Sequence, residues 1–141
     1  MILTDTGPLV ALFDPRDDDH RATEKLLATF KNPLITTTPV LTEAFHLLDP
    51  ASRAAEALRE FIDARGIGVW FMDQSSLGRA LELMQKYADH PMDFADASLV
   101  TAAEVLRTTS VFTLDRGDFA TYRPKIGRTP KRFRVFDPAR A

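Results

Sequence analysis

The chain has 141 residues, 45% of them hydrophobic and 27% charged, with a net charge of −2 and no cysteine. That length builds one domain around a single core, and the lack of thiols excludes disulfides, thiolate zinc sites and cysteine nucleophiles, leaving oxygen ligands and three histidines for site chemistry. No apolar run of about eighteen residues marks a membrane span and residues 1–30 carry no secretory signal, so a soluble cytoplasmic protein is expected.

"MILT" at the start is apolar and β-compatible and predicts a strand, and "GPLVALF" after it predicts a helix with proline in its first turn. "DDDHRATEKLLATFK", residues 17–31, has acids at its front and Leu26, Leu27 and Phe30 at helical spacing, while "PLITTT" reads as a buried strand. "PVLTEAFHLL" and "SRAAEALREFIDAR" predict two helices parted by Asp49-Pro50. "GVWFM" predicts a strand, and "SLGRALELMQKYA" and "DASLVTAAEVLR" predict helices. "SVFTLD" repeats the pattern of the opening strand, and "RFRVFD" alternates as an edge strand does. Strands separated by helix-length segments imply βα units, hence an α/β fold with a mainly parallel sheet covered by helices on both faces.

Charge is distributed unevenly. Residues 121–141 hold seven of the eighteen Lys and Arg residues but a single acid, Asp137, so a basic end is joined to an acidic body. This suits a polyanionic partner, provided divalent cations neutralise the acids where it binds.

In a parallel sheet ligands bind beyond the carboxyl ends of the strands, and Asp5 and Asp115 each follow a predicted strand at that rim. Capping of the next helix is the competing explanation for each. Glu43 falls at the margin of an apolar helical face beside Leu47, with no partner at i+4 or i−4, and is expected to be partly buried. Asp96 shares a face with Leu99, Val100 and Ala103 and points inward, whereas Asp93, three residues earlier, is better explained as the N-cap. Gathered without cations, Asp5, Glu43, Asp96 and Asp115 would repel one another. Oxygen-only donors select hard ions such as Mg²⁺ or Mn²⁺, whose chemistry fits phosphodiester hydrolysis.

Other readings fare worse. "DTG" at residues 5–7 occurs once in a chain that is mostly helical, whereas aspartic proteases need two such aspartates on strands. Glu43-x-x-His46 is a single copy where a di-iron bundle needs two. His20 and His90 are expected to be solvated. No P-loop, Gly-x-Gly-x-x-Gly or Gly-x-Ser-x-Gly occurs.

The stretches "ILTDTGPLVALF", "TTTPVLTEAFHLL", "DFADASLVTAAE" and "FTLDRGDF", in this order from residue 2 to residue 119, resemble a PIN-domain protein of the group containing the VapC-like toxins of bacterial toxin–antitoxin pairs. The resemblance implies one three-layer α/β/α domain over residues 1–141 and a Mg²⁺- or Mn²⁺-dependent endoribonuclease that hydrolyses RNA through metal-activated water. By position Asp5, Glu43, Asp96 and Asp115 are its catalytic metal ligands, Thr6 and Thr113 orient them, and Asp118 replaces or assists Asp115. Gly7-Pro8 departs from the polar residue commoner there. A small antitoxin and a homodimer are the implied partners, with no membrane. Arg116, Lys131, Arg132 and Arg134 are candidate RNA contacts; for the tail, keeping an edge strand soluble is the competing explanation. A catalytically silent RNA-binding module with one structural metal, a solitary housekeeping nuclease and a receiver-like phosphoacceptor pocket stay open as alternatives.

Overall fold

A computed structural model of the chain describes residues 1–140. The sheet strands are β1 (Ile2–Thr4), β2 (Leu34–Thr37), β3 (Ile67–Trp70) and β4 (Ser110–Phe112); β5 (Lys125–Ile126) and β6 (Thr129–Pro130) form a separate antiparallel hairpin, and β7 (Arg134–Phe136) closes the sheet. The five-stranded sheet runs β3-β2-β1-β4-β7, and every pairing in it is parallel. Such strands are buried on both faces, which is why β1 reads as an unbroken buried run and shows no alternation.

The helices are α1 (Thr6–Phe13), α2 (His20–Leu27), α3 (Thr38–Leu47), α4 (Arg53–Asp63), α5 (Gln74–Lys86), α6 (Phe94–Leu106) and α7 (Arg116–Thr121). They cover the sheet as the outer layers of a three-layer α/β/α domain. α1 packs on α2, α3 and α4, while α6 lies on β1 and β2 and against α5. α4 is amphipathic and buries Ala55 and Leu58. By contrast α6 is buried all round from Ala95 to Ala103, and its small side chains let it press close to the sheet. There Ser98 Oγ lies 2.6 Å from Thr37 Oγ1. Leu3, Leu9, Val100, Val111 and Phe112 fill the centre of the core. Each contributes roughly 1.5–3 kcal/mol by leaving water.

The chain adds strands on one side of β1 through β2 and β3, then crosses to the other side for β4. This reversal puts the topological switch point between β1 and β4, where open α/β sheets bind ligands.

Most boundaries expected from the sequence hold to within a few residues. The second helix begins only at His20, because Asp17 and Asp19 sit in a tight turn in which the Asp19 N–H donates to Asp17 Oδ1. The strand expected over residues 110–115 stops at Phe112, since residues 113 and 114 lead into Asp115, the N-cap of α7. Neither α7 nor the hairpin of β5 and β6 was anticipated. The edge strand at the carboxyl end is present, over Arg134–Phe136.

Candidate active site

Asp5 directly follows β1 and caps α1. Its Oδ1 accepts the Thr6 N–H at 2.8 Å and its Oδ2 accepts the Thr113 hydroxyl at 2.7 Å. Capping and site roles therefore coexist in one carboxylate. Helix α1 starts without irregularity at Gly7-Pro8, because the fixed φ of proline suits a first turn whose N–H groups lack helical partners. A Cβ at Gly7 would stand 3.1 Å from Leu114 Cδ1, so a larger residue there would push the Leu114 side chain aside by a few tenths of an ångström.

Glu43 projects from the middle of α3 on an exposed flank, contrary to the expected partial burial, and Leu47 one turn later is 63% exposed. The apolar face of α3 is narrower than its composition suggests, and Val40, Ala44 and Leu48 carry the burial. Glu43 Oε1 nevertheless accepts the Thr6 hydroxyl at 2.9 Å, which joins α3 to the start of α1. Asp93 is the N-cap of α6, as expected, accepting the Asp96 N–H at 2.8 Å. Asp115 caps α7, and its own N–H donates to Thr113 Oγ1 at 2.9 Å. Thr113 thus links two acids, giving its proton to one and taking the backbone proton of the other.

Asp5, Glu43, Asp93, Asp96, Asp115 and Asp118 line one open cleft of about 450 Å³, with Thr6 at its wall and Asp17 at its edge. No lysine, arginine or histidine lines it. The electrostatic consequence is visible in the acids themselves. Asp5 is pushed up to about 6, mainly by burial and secondarily by the charges of Asp93 and Glu43, against the lowering effect of its two hydrogen bonds. Asp96 is pushed up to about 8, by burial first and then by Asp5 and Asp93. Asp115 is raised by burial and by Asp118 beside it.

Two groups went unrecognised in the sequence. Tyr122, fully buried below α7, donates its hydroxyl to Asp96 Oδ2 at 2.8 Å. Burial and this carboxylate raise the phenol above its ordinary value, so it stays a donor. His90, expected to be solvated, places Nε2 2.6 Å from Asp118 Oδ1 and its ring against Tyr122. His20 is likewise tied down, with Nδ1 2.7 Å from the Ala11 carbonyl.

The candidate RNA contacts separate into two places. Arg116 follows Asp115 at the acidic rim and pairs with Asp137 at 3.4 Å. Arg134 pairs in register with Ser110 at the amino end of β4, the opposite end of the sheet from the acids, and its guanidinium lies 4.9 Å from the centre of the Phe136 ring. Lys131 and Arg132 are exposed on the segment leading into β7.

The donor set fits a hard divalent cation: it is all oxygen, it carries excess negative charge, and its buried members are held at unfavourable protonation equilibria. Among the described residues no three acids or histidines stand close enough to enclose an ion by themselves. An ion there would take one or two carboxylates and complete its shell with water.

The model of the PIN domain matches residues 2–123. Ribonuclease VapC26 of Mycobacterium tuberculosis (strain ATCC 25618 / H37Rv) is 28% identical over 126 residues, covering 87% of this chain and 93% of that protein. Among solved structures, VapC20 of M. tuberculosis, described as a sarcin-ricin loop cleaving toxin, superposes with a TM-score of 0.73 at 22% identity, over 79% of this chain and 87% of that one. A toxin–antitoxin complex from Klebsiella pneumoniae gives 0.67 at 20% identity over 98% of both chains. VapBC2 from Rickettsia felis, bound to a promoter DNA fragment, gives 0.63 at 15% identity over 97% of this chain and 100% of that one. With a family model spanning most of its length and the acids of its motifs gathered at the switch point of the sheet, the chain belongs to the PIN domain family.

Proposed function

We propose that the protein is a Mg²⁺- or Mn²⁺-dependent endoribonuclease, the toxin of a type II toxin–antitoxin pair, which acts as a homodimer and is neutralised by a small antitoxin. The observation that carries this reading is the convergence of Asp5, Glu43, Asp96 and Asp115 on one cleft that contains no cationic side chain. The names of its relatives support it: a ribonuclease, a toxin that cleaves the sarcin-ricin loop, and two toxin–antitoxin assemblies.

In this reading Asp5 and Asp96 are the principal ion holders, with Glu43 and Asp115 at the edge of the same site. An ion there supplies positive charge to the phosphoryl oxygens and lowers the pKa of water, which is what hydrolysis of a phosphodiester requires. The chain's own work is positioning. Thr113 and the Thr6 N–H fix both oxygens of Asp5, Thr6 Oγ1 holds Glu43, and Tyr122 holds Asp96 Oδ2, which leaves Oδ1 available to the cleft. Preorganisation of this kind avoids reorganising the carboxylates during the reaction. No side chain is required as a nucleophile. Arg116, at the rim, is the candidate cation nearest the acids for an RNA phosphate, with Asp118 assisting Asp115.

RNA cleavage with added Mg²⁺ or Mn²⁺ tests this, comparing wild type with Asp5→Asn and Asp96→Asn. Cutting that needs the ion and falls at least about 100-fold in both variants is expected, the scale on which removal of one transition-state-stabilising group acts. RNA binding without cutting by the wild type would favour the silent module. Cutting retained by both variants would remove the acids from the reaction.

A further inference from the structure

Ten phenylalanines are present, and eight of them, Phe112 and Phe119 among them, belong to the core or pack against it. Phe71 and Phe94 are the two that remain exposed. Phe71 stands away from the acids, in a shallow depression between β3 and the faces of α5 and α6. Phe94 is different. It is the first residue of α6, it directly follows Asp93, and it precedes Asp96 by two positions. The residue is 37% exposed and its ring makes none of the ring–ring contacts among the described residues.

That ring forms one wall of a second cleft, of about 430 Å³, whose other wall is Thr38, Pro39 and Thr42 on the first turns of α3. The second cleft shares Glu43 and Asp93 with the acidic one, so the two are continuous. The volume lies within the range of small-ligand sites, about 300–1000 Å³. Most of Phe94 is covered by its neighbours, and part of what stays open lines the second cleft.

We infer that this second cleft is a nucleobase subsite: the base of the nucleotide next to the cut phosphate stacks on Phe94, with the Thr38 and Thr42 side chains along its edge. The inference rests on the nuclease reading, because the occupant is argued from continuity with the acidic cleft. An RNA whose phosphate lies among the acids must send its neighbouring nucleotide out of that cleft, and past the Glu43 and Asp93 boundary it meets Phe94. The negative boundary disfavours a second phosphate there and leaves the uncharged base as the suitable occupant. Stacking of a base on an aromatic side chain contributes about 1–3 kcal/mol and favours the larger π-face, so the subsite prefers a purine.

The test is cleavage of a randomised single-stranded RNA pool with Mn²⁺, with cut sites mapped by sequencing, for wild type, Phe94→Ala and Phe94→Trp. A purine bias is expected at one position flanking the cut, flattened in Phe94→Ala and kept in Phe94→Trp, with about 5- to 100-fold lower kcat/KM for Phe94→Ala. Because Phe94 adjoins Asp93, Mn²⁺ titration by calorimetry accompanies it; unchanged Mn²⁺ affinity in Phe94→Ala ties the lost bias to the ring. If Mn²⁺ affinity also collapses, the loss belongs to the acids, and the subsite stands only if Phe94→Trp restores both. An identical cut-site profile in wild type and Phe94→Ala overturns the subsite while leaving the nuclease intact. A wild type that cuts no RNA overturns the nuclease reading and the subsite with it.

Discussion

Holding Asp5 and Asp96 close together below the surface should make the metal-free protein lose stability as pH rises. Asp5 is 8% exposed and Asp96 9%. Their carboxyls titrate near 6 and near 8 when folded, against 3.8 as ordinary aspartates. Between those values the folded chain holds protons that the unfolded chain has released, so stability declines with rising pH, through both carboxyls up to about pH 6 and through Asp96 alone up to about pH 8. At about 1.4 kcal/mol per pH unit, ionising Asp5 in the fold costs about 3 kcal/mol. Over pH 5 to 8.5 Asp5 contributes about one pH unit of that slope and Asp96 about three, so together they cost on the order of 5 kcal/mol in this window. For a domain of this size that is a fall in Tm of roughly 10–20 °C between pH 5 and pH 8.5. Carboxyls held below their ordinary range, those of Asp14, Asp73 and Glu104, act in the opposite sense only in more acid solution, outside this window. The assay is calorimetry in chelator across that range. Added Mg²⁺ should recover most of the loss at pH 8.5 and little at pH 5, because the ion binds ionised carboxylates. Asp96→Asn should shrink the slope without metal. A Tm that is flat or rises across the window in chelator would refute the reasoning.

Three further outcomes follow from particular contacts. Thr113→Val keeps the shape of the side chain but removes the donor to the buried Asp5 Oδ2; it should destabilise the protein by about 1–3 kcal/mol in urea denaturation at pH 8 and cost less at pH 5, where Asp5 is protonated. Tyr122→Phe frees Asp96 Oδ2, and Mn²⁺ affinity measured by calorimetry should fall about 10-fold, with the core packing of the ring retained. Replacing Lys131, Arg132 and Arg134 together with alanine should leave cutting of a short oligonucleotide unchanged, since Arg134 enters at the far end of the sheet. Binding of a long RNA should weaken, with the log–log salt slope reduced by about 2.

The sequence disclosed the order of strands and helices because parallel strands and amphipathic helices leave local periodic marks. It also disclosed Asp5, Asp93 and Asp96, each placed by an adjacent boundary: the end of β1 or the start of α6. What stayed hidden is non-local or short. Tyr122 meets Asp96 across 26 positions and His90 meets Asp118 across 28, and no periodicity encodes such a meeting. Six residues of α7 and two-residue strands in the hairpin give too little chain for a pattern. The exposure of Glu43 was misjudged because hydrophobicity alone put Leu47 in the core, whereas the acidic cleft opens on that side of α3. The basic tail was legible as charge but not as position. Only the parallel register of β7 on β4 assigns Arg134 to the end of the sheet opposite the acids.

One physical conflict connects stability with activity here. The core would be better served by neutral side chains at positions 5 and 96, where burial and mutual repulsion both oppose ionisation. The fold keeps those aspartates and surrounds them with donors chosen for direction: the Thr6 N–H, the Thr113 hydroxyl and the Tyr122 hydroxyl. Each donor offsets only part of the burial cost, and none carries a formal charge, so the deficit persists until a cation arrives. A lysine or arginine in the same cleft would have removed the deficit within the chain, at the expense of competing with any incoming ion. Leaving the cleft without one leaves that deficit to be met by a cation from outside, as the proposed function requires. On the proposed function, the cost of these buried carboxylates and the hydrolysis of a phosphodiester are two consequences of the same residues, as expected where a functional site is preserved against the interest of stability.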